Sequence, residues 1–122
     1  MIKGISTQEV KEITSSHDKD EPKTIWKISA LDSEIFDMLG DFGINPLRMM
    51  AEAVRFGLKG IDNFKDGYGN IVHFTTVSRP VGMYNYQVVS DNIMKMIPPE
   101  IKSELGKEIL KLSKLNEGEI KN

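Results

Sequence analysis

Two proline-marked starts, Asn45-Pro46 and Pro98-Pro99, limit where the longest helices of this chain can begin. Proline fixes φ near the helical value and lacks an N–H that the first turn would leave unpaired, so it favours the first helical positions. After Asn45, the residues Leu47, Met50, Val54, Leu58 and Ile61 recur at steps of three or four, which predicts an amphipathic helix running past residue 60. After Pro99, Ile101, Leu105, Ile109 and Leu112 make a second apolar stripe, backed by Lys102, Glu104, Lys107, Glu108 and Lys111. Gly57 falls inside the first of these helices, where glycine costs about 1 kcal/mol against alanine unless a close crossing requires it.

Other elements are shorter. "TIWKIS" (24–29) sets β-branched and aromatic residues among polar ones and reads as a strand. Its Trp26, the sole tryptophan, reads as a core anchor rather than a ligand platform. "LDSEIFDMLGDF" (31–42) has Leu31, Ile35, Met38, Leu39 and Phe42 at helical spacing, with Asp32 placed to cap the start and Gly40 and Gly43 to mark the end. Residues 15–23 are polar, closed by a proline, and read as a loop. A turn is expected from Asp66 to Asn70, an extended segment over 71–77, and a long loop or loose strand over 78–89. Ser90-Asp91 opens a short helix through Ile97. The expectation is a single small α+β domain over residues 1–122, mainly helical, with three to four helices and a short strand or hairpin element. Residues 1–23 and 116–122 are expected to be partly flexible.

Composition narrows function by exclusion. A net charge of −2 over 122 residues provides no basic field to gather nucleic acid. The balance is uneven, with nine acids and five bases in residues 1–44 and nine acids and eleven bases beyond. Without cysteine there is no thiol nucleophile, disulfide or thiolate metal site. No apolar run has the length of a membrane span, and "MIKGISTQEV" lacks the apolar core of a signal peptide.

The stretch "VRFGLKGIDNFKDGYGN" (54–70) holds four of the ten glycines and invites a ligand test. Asp62, Asp66 and Asn70 are oxygen donors, yet the third position of a calcium loop begun at Asp62 is Phe64 and the twelfth is His73. A phosphate cradle needs a strand-to-helix order, and here a helix precedes an extended segment. His17 and His73 lack metal-ligand spacing. No serine occupies a nucleophile elbow, and Asp37 with Asp41 reads as a solvated helix face rather than a proton-sharing pair. The catalytic, cofactor and metal site sets are therefore expected to be empty. Arg55, Arg79, Tyr84 and Tyr86, of types enriched at interface hot spots, are the expected partner-binding residues. Seven methionines, among them Met49, Met50, Met83, Met94 and Met96, supply pliable filling for a core or an adaptable contact face.

The order of segments carries a resemblance. "TIWKIS", then "VRFGLKGIDNFKDGYGNIVHF", then "IMKMIPPEIKSELGKEIL" resemble small virion structural and tail assembly, chaperone-like, proteins of tailed bacteriophages and prophages. In those proteins a helix ends in a glycine–aromatic–Asn-Phe stretch, an acidic Gly-Asn turn follows, and "IPP" introduces a closing helix. The corresponding residues here are Val54, Gly57, Leu58, Gly60, Asn63 and Phe64, then Gly69, Asn70 and Phe74, and finally Ile97, Pro98, Ile101, Glu104 and Leu105. Ile61 stands where such sequences often carry tryptophan. The resemblance implies a non-enzymatic protein with no cofactor, found in the virion or the host cytoplasm. Its partners would be other phage structural proteins and copies of itself, rather than a membrane or nucleic acid. The competing class is a regulatory or inhibitory module that binds nucleic acid or a nucleic-acid enzyme.

Overall fold

A computed structural model describes residues 1–42 and 45–114. Gly43, the side chain of Phe42 and the tail at 116–122 lie outside the described residues. The chain forms β1 (Lys11–Ile13), β2 (Ile25–Ile28), α1 (Ser33–Leu39), α2 (Pro46–Gly57), β3 (Leu58–Asp62), β4 (Thr76–Val81), β5 (Tyr84–Val89), α3 (Asp91–Met96) and α4 (Pro99–Leu112). A single 3₁₀ turn, Gly40–Phe42, follows α1. Strands β1, β2 and β3 form one antiparallel sheet in that order, and β4 with β5 forms a separate hairpin.

The expectation of a mainly helical fold is corrected by this count. The described residues are 37% helix and 23% strand, with four helices and five strands in two antiparallel sheets. Two segments account for the difference. The helix from Pro46 ends at Gly57, and Leu58 begins β3. In β3, Ile61 pairs with Trp26, Gly60 with Lys27 and Leu58 with Ile28, so Lys59 is an extra residue without a partner. Such a bulge shifts the alternation by one. Leu58 and Ile61, three apart, therefore both turn to the core at 2% and 9% exposure, imitating a helical step. The second segment, 78–89, belongs to a regular six-by-six ladder of 76–81 with 84–89, closed by the two residues Gly82-Met83. Gly82 takes φ 61°, which suits the first central position of a type II′ hairpin turn.

The local start signals hold. Asp32 Oδ1 accepts from the Ile35 amide at 2.9 Å and Asn45 Oδ1 from the Arg48 amide at 3.2 Å, each satisfying a donor the helix cannot. Gly57 and Gly106 then decide how α2 meets α4. A Cβ on Gly57 would lie 2.5 Å from Ile109 Cγ2, and one on Gly106 only 2.7 Å from the Met50 carbonyl oxygen. The close crossing offsets the cost of glycine in both helices. Leu105 and Ile109 of α4 and Ala53 and Val54 of α2 are fully buried there, while Leu47 is 70% exposed.

Around that crossing the core joins Trp26 and Ile28 of β2, Ile35 and Leu39 of α1, Val88 and Val89 of β5, and Ile93 of α3. Its two ends are tied by polar bonds. The buried Ser113 hydroxyl accepts from the Leu31 amide at 2.8 Å and donates to the Ile109 carbonyl at 2.7 Å. Ser29 donates to the Glu9 carbonyl at 2.8 Å. Both buried hydroxyls are thus satisfied, as burial of a polar group requires.

Candidate partner-binding surfaces

The 54–70 stretch ends in a reversal that needs no ligand. Asn63 closes β3 at φ 60°, a left-handed conformation that asparagine tolerates better than most residues. The Phe64 carbonyl accepts from the Val72 amide at 2.8 Å, and the Asp66 amide donates to the Asn70 carbonyl at 2.9 Å. The Asp66 carboxylate is spent on its own loop, accepting from the amides of Tyr68 at 2.9 Å and Asn70 at 3.0 Å. These bonds, the Asn70 amide's first, hold its carboxyl below the ordinary range. Asp62 is engaged with Lys27 at 3.3 Å. Among the described residues, no three histidines or carboxylates are placed to hold a metal ion.

Three of the four expected partner residues are occupied internally. Arg79 reaches Glu52 at 3.2 Å, and Arg55 lies 3.7 Å from the same carboxylate and 2.7 Å from Asp91. The Arg79 guanidinium also sits 5.4 Å above the Phe56 ring. Tyr86, paired with Arg79 across the hairpin, meets Phe56 edge-on at 5.8 Å and donates to Asp32 Oδ2 at 2.9 Å. Burial, then the bond to Asp32 and the acidic neighbours, push the Tyr86 phenol up to about 12. The structure therefore brings Arg55, Arg79 and Tyr86 together around Glu52 and Phe56, as a brace fixing the hairpin to α2 and α1.

Tyr84 alone of the four remains largely free, at 65% exposure. It pairs with Val81 beside the hairpin turn and shares a face with Arg79, Tyr86 and the Val77–Val88 pair. That face runs beyond the cover of the core: Val77 is 50% exposed, and Met83 at the turn is 97% exposed. Sequence reasoning placed Met83 near a helix and did not single out Val77. The usable signal was the Val-Gly-Met-Tyr run, where a turn glycine sits among apolar residues.

A second feature is a cleft of about 620 Å³ under the 14–24 loop. Its apolar wall includes Trp26, Phe64, Pro98 and Ile101, and its rim carries Asp18, Asp20, Glu21 and Glu100 against the single ammonium of Lys65. Trp26 is 3% exposed and stands 5.3 Å from Phe64, ring to ring. Asp18 folds the loop, accepting from the amides of Asp20 at 3.1 Å and Thr24 at 2.8 Å. Thr24 in turn donates to the Asn63 carbonyl at 2.7 Å, tying the loop to the end of β3.

The other anchor of this loop is Glu104 on α4. Its Oε2 accepts from the Ser16 hydroxyl at 2.6 Å and the Ser16 amide at 3.2 Å. Burial pushes this carboxyl up, but the hydroxyls of Ser15 and Ser16, the Ser16 amide and nearby His17 outweigh it and hold the carboxyl below its ordinary value. A depressed acid stabilises the fold above its unfolded pKa of about 4.3 and loses that contribution as pH falls through the folded value. Glu104→Gln is accordingly expected to lower stability at pH 6–7, with the gap to wild type closing below about pH 4. Urea unfolding across a pH series measures it, and a gap that stays constant to pH 3 contradicts the assignment.

Comparison with protein-family models, with curated proteins and with solved structures finds no match for this chain. Among the described residues, no helix is long and apolar enough to cross a membrane.

Proposed function

We propose that this chain is a non-enzymatic virion structural or particle-assembly protein of the tailed-phage type, working through protein–protein contacts with other phage structural proteins or with copies of itself. The observation that carries the reading is the β4–β5 hairpin, braced through Arg79 and Tyr86, which leaves Met83 and Tyr84 exposed at its turn and Val77 half-exposed farther along the same ladder. A rigid aromatic and a pliable methionine on a fixed support suit an anchor at an interface. The segment pattern around residues 54–70 and 97–105 supports the phage assignment by resemblance. The regulatory, nucleic-acid-binding alternative draws less support, because Arg55 and Arg79 spend their charge on Glu52 and Asp91.

The test is made in a phage or prophage whose genome encodes the chain. Met83→Ser with Tyr84→Ser is expected to reduce the yield of infectious particles at least ten-fold while leaving the purified protein's melting temperature within about 2 °C, since surface changes usually cost little. Mass spectrometry of purified particles separates the two forms of the proposal: a fixed copy number marks a virion component, and absence marks an assembly factor. Unchanged particle yield both in this variant and on deletion of the gene would refute both forms.

A further inference from the structure

The cleft beneath the 14–24 loop has two properties that its structural role does not explain. Asp20, Glu21 and Glu100 line it, and their carboxylates have neither an ion-pair partner nor a hydrogen-bond partner among the described residues. Like charges held around an apolar wall repel one another and attract cations. The second property belongs to Trp26. This residue is 97% buried and lines the same cleft, yet its Nε1–H has no acceptor. A buried donor left unpaired costs about 1–3 kcal/mol, which a sheet strand has no need to carry. The two observations are independent, and they call for complementary features in one ligand: positive charge, apolar side chains and a hydrogen-bond acceptor.

We infer that this cleft receives an extended, basic, amphipathic peptide segment of a partner protein. Its lysine or arginine side chains meet Asp20, Glu21 and Glu100, and its apolar side chains lie against Trp26, Phe64 and Ile101. A peptide carbonyl supplies the acceptor missing at Trp26. Nε1 is sealed from water, so binding at that atom requires the neighbouring side chains to move. A volume of about 620 Å³ is within the usual range for ligand sites, roughly 300–1,000 Å³. A bare divalent cation is a poorer match, since the carboxylates do not form a three-ligand cluster among the described residues. The inference deepens the assembly reading by assigning partner chemistry to a surface other than the hairpin.

The sole tryptophan makes the test direct. The full chain, ¹⁵N-labelled, is titrated with a seven-residue peptide alternating lysine and leucine, with the indole N–H resonance followed by NMR. The expected result is a saturable shift of that resonance, with affinity at least ten-fold weaker in Glu21→Gln/Glu100→Gln and similarly weakened from 50 to 500 mM salt. Both replaced side chains are exposed and without internal partners, so an unchanged melting temperature confirms that the variant is folded. No indole shift at millimolar peptide overturns the inference, as does equal affinity for a glutamate–leucine peptide. The same shift with spermidine or calcium alone also overturns it, in favour of a small-cation site. Loss of particles in the hairpin variant alongside failed peptide binding would refute this inference while leaving the assembly reading standing.

Discussion

Gly106→Val is expected to destabilise the protein by about 3 kcal/mol or more, and Gly106→Ala by about 1 kcal/mol, against the usual trend for glycine in a helix. At an unobstructed position alanine gains about 1 kcal/mol over glycine from helix propensity. Here the added carbon would lie 2.7 Å from the Met50 carbonyl oxygen and 2.9 Å from Met50 Cα. Those are backbone atoms, so no rotamer change can relieve the contact and the two helices must separate. The separation loosens Leu105 and Ile109, both fully buried, so propensity is outweighed. A folded chain of this length has about 6–18 kcal/mol in hand, and 3 kcal/mol corresponds to a melting temperature lower by roughly 10 °C. Thermal and urea unfolding of both variants measure it. Gly106→Ala with a higher midpoint than wild type would mean that the crossing is looser than 2.7 Å implies.

Trp26→Ala is expected to cost about 3–5 kcal/mol, the range for removing a buried aromatic. Trp26 faces Phe64 at 5.3 Å, pairs through its backbone with Ile13 on one side and Ile61 on the other, and forms part of the core cluster. Its loss takes support from the sheet and from the cleft together. Trp26→Phe is the instructive companion. It keeps a ring against Phe64, sheds some volume and removes the unpaired N–H, so these effects oppose each other and the net loss should stay near 1 kcal/mol. Denaturation followed by circular dichroism suits both variants, which lack the tryptophan. Equal losses in the two would show that the full bicyclic indole, rather than a single ring against Phe64, is what the packing requires.

The residues that announce helix starts do so locally, which is why Asp32, Asn45-Pro46 and Pro98-Pro99 were legible in the sequence. Asp32 and Asn45 accept from amides of their own first turns and the prolines fix φ there, so no distant partner is needed. Strand β3 was hidden because the bulge at Lys59 spaces Leu58 and Ile61 as a helix would. Strand β1 offers three residues, none of them fully buried, and so carries no periodic signal. In the hairpin, Pro80 and Gly82 look like breakers; Pro80 is tolerated because β4 pairs on one side only. That Arg55, Arg79 and Tyr86 are engaged within the chain was hidden for a different reason. Of their internal contacts, only Glu52–Arg55, three residues apart on one helix, was visible along the chain. Asp91 and Asp32 come from other elements. The cleft was beyond sequence reading altogether, since its wall combines the 14–24 loop, β2, the end of β3 and the start of α4.

The tie between Ser16 and Glu104 spans 88 residues of chain, and that between Leu31 and Ser113 spans 82. On the ribosome, at roughly 5–20 residues per second, these partners are synthesised about 4–18 s apart. Until α4 emerges, α2 lacks the helix it crosses, and the β1–β2–β3 sheet has Trp26 and Ile28 only partly covered. Through that interval the nascent chain carries apolar strands without their closing helix, the condition under which incomplete chains become prone to aggregation. A slow-codon cluster ahead of Pro98 would lengthen that exposure, and faster translation of α4 would shorten it.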